Sequence, residues 1–127
     1  MRWMLFTVAF LGTIAREAGA QTLDRRALPP EVANEVIALS EAPGTLIADG
    51  AYSLDAGDVV RRTVIVQRGP VSIAGRLVGT LVVINAAIEF RAGATIEGDV
   101  LLIGSRVEGR DLAHITGTIR NYSTPDQ

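Results

Sequence analysis

The sequence predicts an all-β fold, a single-stranded β-helix (solenoid) of about four coils with a short N-terminal capping α-helix. Three observations predict it: apolar text recurring at offsets of seventeen and nineteen residues, alternation of residue type within each repeat, and glycines where the repeats must bend. Composition agrees with these signals. Of 127 residues 48% are hydrophobic but only 5% aromatic, so a core must be assembled from Val, Ile, Leu and Ala, and 13 glycines supply bends.

The chain opens with Arg2, an apolar run from Trp3 to Ile14 and the small-residue close Ala18-Gly19-Ala20. That order reads as a secretory signal peptide over 1–20, cleaved after Ala20, and places the protein in the periplasm or cell envelope. The run is shorter than the roughly 20 residues a spanning helix needs. Residues 21–43 read as a linker and helix. Val32, Val36 and Leu39 are spaced by four and three, Pro30 suits a first helical turn, and Glu31 meets the positive end of the helix dipole. Ala42-Pro43-Gly44 ends the helix, which is expected to pack across the first coil and shield its open strand edge.

Residues 44–120 carry the repeat. Leu81 matches Val100, Val83 matches Leu102, Ile88 matches Val107 and Gly98 matches Gly117, all at an offset of nineteen. At an offset of seventeen, Val64 falls under Leu81, Val66 under Val83, Val71 under Ile88 and Ile73 under Phe90. Val60, Leu77, Ile96 and Ile115 form a further column, and the two extra residues of the later coil fall around Arg91-Ala92-Gly93, as a turn insertion should. A polar tail, 121–127, follows with no evident cap, so the last coil is expected to offer apolar ends and backbone donors to a second copy.

One strand of each coil is apolar on both faces. Ile65, Val82 and Leu101 stack, as do Ile84 and Ile103, although their neighbours already fill the inside. Solvated strands alternate, so this face must be covered, by the helix at Val32–Leu39, by another subunit or by a membrane-associated partner. Ile65, Val82, Leu101, Ile84, Ile103 and Ile119 are therefore the candidate self-association residues.

The motifs Ile73-Ala-Gly-Arg-Leu, Ile96-Glu-Gly-Asp-Val, Val107-Glu-Gly and Ile115-Thr-Gly-Thr-Ile resemble the repeated text of the bactofilins, polymer-forming cytoskeletal proteins. The resemblance covers about Asp58 to Arg120. It implies a right-handed triangular β-helix that polymerises end to end without nucleotide, through apolar contacts between terminal coils. Members of that family are typically cytoplasmic; an exported relative would serve as an envelope scaffold, with itself as partner in a dimer or filament and envelope components as further partners.

Chemistry is sparse. The net charge of -2 gives no field for nucleic acid, and the absence of Cys removes thiol chemistry, thiolate metal sites and disulfides. The enzyme alternative is a hexapeptide-repeat acyltransferase using His114, the one histidine, as base; its coils would need spacings of eighteen, and no acyl-carrier or coenzyme site is evident. A ligand-binding module is a further alternative. Asp49, Asp55 and Asp58 lack the ordered repeats of calcium-binding solenoids, and Arg25-Arg26 and Arg61-Arg62 read as solvated turns. The expectation is a non-enzymatic scaffold with no catalytic, metal or cofactor residues and no small-molecule substrate.

Overall fold

A computed structural model describes residues 23–123 of the chain. The leader read at 1–20 lies outside the described residues, as does the end of the polar tail. A 3-10 turn at Arg25–Ala27 leads into helix α1, Pro30–Glu41, which has Pro at its start and Glu31 in the first turn. The strands come in threes, one for each side of a coil. They are β1 Leu46–Asp49, β2 Tyr52–Leu54 and β3 Val59–Val60, then β4 Val64–Gln67, β5 Val71–Ile73 and β6 Arg76–Val78. β7 Leu81–Ile84, β8 Ala87–Phe90 and β9 Thr95–Glu97 form the third coil. β10 Val100–Ile103, β11 Arg106–Glu108 and β12 His114–Ile115 form the fourth, and β13 Ile119–Tyr122 begins another.

Each strand pairs, in parallel, with its equivalent one coil away, giving three sheets wrapped round a single interior. The first sheet has five strands, β1-β4-β7-β10-β13, and the other two have four each. The register is that of the sequence columns: Val64 pairs Leu81, Leu81 pairs Val100, and Val60, Leu77, Ile96 and Ile115 pair in succession. Ile73 and Phe90 pair, as do Arg76 and Thr95, so the step across this corner grows from three residues (76 − 73) to five (95 − 90). The two added residues fall in the Arg91–Ala94 corner, leaving the strands in step. The last strand runs past Arg120, so Asn121 and Tyr122 also join the stack, paired with Leu102 and Ile103.

The interior packs Val64, Val66, Ile73, Leu77, Leu81, Val83, Ile88, Phe90, Ile96, Val100 and Leu102, all essentially inaccessible. Outside the first sheet lies a second core: Val32 and Val36 of α1, with Leu28, pack against Ile65, Val82, Ile84, Leu101 and Ile103. Thus α1 covers the outer face of the long sheet. The expected position across the end of the first coil is not the one it takes, because its apolar stripe buries more against a face that is already apolar on every coil.

Polar contacts fasten this layer at both ends of the stack. The buried Gln67 side chain accepts a hydrogen bond from the Asp24 backbone N–H (2.8 Å) through Oε1. Arg68 bridges Asp24 and Asp49, and these bonds, to Asp49 above all, hold its guanidinium pKa above the ordinary value. Beside the first coil Thr45 Oγ1 donates to the Leu39 carbonyl (2.7 Å), and at the far end Arg120 donates to Glu35 (2.6 Å), with the same upward effect on its pKa. Val36 is wholly buried between helix and sheet, so Val36→Ala should cost about 2 kcal/mol in urea unfolding, near the low end for large-to-small core changes. A change under about 0.5 kcal/mol would mean that the helix does not dock as described.

Candidate self-association surfaces

The stack ends on half-exposed members of columns that are buried elsewhere. In the middle coils Val64, Leu81, Val100, Leu77 and Ile96 are 0% exposed, and Val71 and Ile88 at most 2%. Their counterparts Leu46, Tyr52 and Val60 in the first coil, and Ile119, Val107 and Ile115 in the last, are only partly buried. Nothing among the described residues packs on their outer side, and β1 and β13 are the outermost strands of the first sheet, each with one hydrogen-bonding edge unmatched by another strand. Burial pushes the Tyr52 hydroxyl above its ordinary pKa, while nearby Arg62 pulls it back.

Each end is concave. At the C-terminal end an open hollow of about 630 Å³ is lined by Ala113, Ile115 and Ile119, with Arg110 and Asp111 on its rim. At the N-terminal end a hollow of about 360 Å³ is lined by Leu46, Val59 and Val60, with Arg61 and Arg62 beside it. Val59 is 48% exposed there. Asn121 breaks the apolar rule: it pairs with Leu102 and so ends the inner column of Ala48, Val66, Val83 and Leu102 on a polar residue.

Of the six residues expected to mediate self-association, the structure separates one from five. Ile65, Val82, Ile84, Leu101 and Ile103 are at most 1% exposed beneath α1, so within this fold they are not an accessible surface. Of the three covers open to that face, the helix of the same chain is the one in place. Ile119 lies at the open C-terminal coil. The end residues Leu46, Tyr52, Val60, Val107 and Ile115 were the missing members; the column signal contains three of them, Val60, Val107 and Ile115, and only their position at the ends of the count marks them as exposed.

The remaining chemistry-bearing residues stay dispersed. His114 is exposed at the start of β12, paired through its backbone with Thr95. Asp49 is held by Arg68, whereas Asp55 and Asp58 occupy the next corner, around Gly57. Among the described residues no group of three or more His, Asp or Glu is placed to hold a metal ion. No helix among them is long and apolar enough to cross a membrane. An open hollow of about 280 Å³ on the second sheet is lined by Ser53, Ser72, Glu89 and Glu108 with apolar neighbours such as Val71 and Ile88; Ser72 and Glu89 are partners in the strand register. Comparison of the chain with protein-family models, with curated proteins and with solved structures finds no match in any of the three.

Proposed function

We propose that this chain is a non-enzymatic structural module of the cell envelope that self-associates through the open ends of its β-solenoid. The observation that carries the reading is the exposure contrast along the columns: Ile115 and Val60 are partly exposed where Leu77 and Ile96 are 0% exposed. A side chain of this kind gains about 1.5 to 3 kcal/mol on full burial, and the edge strands beside it can extend a ladder into another copy. The resemblance of the Ile96-Glu-Gly and Ile115-Thr-Gly text to bactofilins supports an end-to-end mode, and the leader at 1–20 supports export.

Sedimentation velocity on the purified chain tests this directly. Oligomers that grow with concentration are expected, visible as short rods by electron microscopy. Ile115→Arg, which puts a charge in the C-terminal hollow at the open, partly exposed end of its column, should return the chain to monomers while it keeps its folded circular dichroism spectrum. A parent chain that stays monomeric across a wide concentration range would sink the reading.

A further inference from the structure

We infer that the outer face of the second sheet is a binding site for a linear, uncharged glycan lying along the stack, one sugar to a coil. The site is on the side of the solenoid, away from both ends. It takes only the envelope setting from the end-to-end reading and is independent of self-association.

Three hollows adjoin on this side. The one at Ser53, Ser72, Glu89 and Glu108 shares Ala87 with another of about 260 Å³, which takes in Asn85 and Ala86. That second hollow shares Gly104 and Arg106 with a third, of about 460 Å³, which reaches Asn121 and Ser123. Together they run from the first coil to the end of the stack.

Register determines what lines them. Tyr52, Val71, Ile88 and Val107 belong to the interior, so the residues on either side of each face outward. One outward row is Ser53, Ser72, Glu89 and Glu108, paired in succession. The other is Ala51, Pro70, Ala87 and Arg106, each one residue before its interior member. This second row is small for three rungs, which leaves the hollow open, and Arg106 stands at the fourth. Strands stack about 4.8 Å apart, close to the length of one pyranose in an extended chain. Each rung therefore offers one acceptor to one sugar, a hydroxyl at the first two and a carboxylate at the next two. The row of small residues gives the C–H faces of the rings a seat.

Charge narrows the class of ligand. Glu89 and Glu108 are exposed and adjacent in register, so they repel a polyanion, whereas sugar hydroxyls donate to both. On the strands of the other two sheets every acidic and arginine side chain is engaged within the fold: Asp49 by Arg68, Arg76 by Glu97, and Arg120 by Glu35. Here Glu89 has a loose exposed pair with Arg91 at 3.6 Å. Arg106 and Glu108, opposite in sign and two apart on one face of β11, make no ion pair among the described residues. The side chains of Ser53, Ser72 and Asn85 likewise make no hydrogen bond among them. A glycan engages these groups together, its hydroxyls donating to the carboxylates and its oxygens accepting from Arg106 and Asn85. A peptide would seek apolar anchors, and the two exposed large hydrophobics among the described residues, Val59 and Leu112, both lie elsewhere.

Isothermal titration calorimetry of the full chain with β-linked oligomers of glucose and of N-acetylglucosamine tests the site. For one of the two sugars, affinity should rise about tenfold or more from two units to four, and no further at six, because the row has four rungs. Glu89→Ala and Glu108→Ala, both at exposed positions, should each weaken binding of the four-unit oligomer about tenfold. Ala87→Phe, which fills the seat from an exposed position, should abolish binding, and Thr95→Ala on the third sheet should leave it unchanged. All four variants should match the parent in circular dichroism and in sedimentation. Binding of neither sugar, or binding indifferent to length and to both glutamates, overturns the site. Tighter binding of an acidic oligomer, four units of galacturonate, overturns the preference for an uncharged chain. A parent that binds the four-unit oligomer but sediments as a monomer upholds this site while sinking end-to-end association.

Discussion

Ile96→Asp is expected to leave no folded population in water at 25 °C. Ile96 is 0% exposed and stands between Leu77 and Ile115 in an inner column. Substitution forfeits about 1.5 to 3 kcal/mol of burial. It also places a carboxylate where every neighbour in the interior is apolar, at a further several kcal/mol whether the group ionises or is held protonated. A small domain sits near the low end of the usual stability of about 5 to 15 kcal/mol, and the two losses together match or exceed that. Far-UV circular dichroism and urea titration provide the check. A cooperative transition within about 1 kcal/mol of the parent would show that the column is not the core.

Gly98→Ala is expected to be nearly as damaging, for a reason that concerns backbone and not burial. A Cβ at this position would lie 2.3 Å from the Gly79 carbonyl oxygen, and φ is +153°, a conformation that residues with a side chain rarely adopt. Neither atom can swing away as a side-chain tip would, so the third and fourth coils must separate at that corner and loosen the Leu81–Val100 pairing. Strain alone costs about 1 to 3 kcal/mol, and the lost coil contact brings the total to about 3 to 5 kcal/mol. Gly57→Ala is the control: φ is +89°, but nothing lies within 4 Å, so only strain remains. Urea midpoints that fall equally for the two variants would show that close coil approach is not what Gly98 provides.

The columns were readable because parallel, in-register stacking turns a sequence offset into a spatial neighbour. Leu81 and Val100 are nineteen residues apart in the chain and paired in the fold. The first coil was harder to see. Leu46 pairs Val64 at an offset of eighteen (64 − 46), Tyr52 pairs Val71 at nineteen (71 − 52) and Val59 pairs Arg76 at seventeen (76 − 59), so turn lengths change at successive corners and no single offset aligns it. The address of α1 was not written in any period. Val32 and Val36 show that the helix has an apolar side, and Ile65, Val82 and Leu101 show that the sheet has a second one. That these two sides meet depends on contacts such as Glu35 with Arg120, eighty-five residues apart, for which a local pattern has no signal. The same gap explains the candidate association residues: apolar columns are legible from sequence, whereas exposure depends on which coil is last and what lies on top.

Stacked repeats touch only their neighbours, so an array of coils can in principle melt from either end, one rung at a time. The layer formed by α1 changes that behaviour. Its approach segment is fastened near the first two coils through Asp24, Gln67 and Arg68, while Glu35 reaches the final strand at Arg120. One continuous piece of chain therefore grips rungs that do not otherwise touch. Fraying either terminus releases part of the grip on the other, which couples the two ends energetically and gives a short array the all-or-none unfolding of a compact domain.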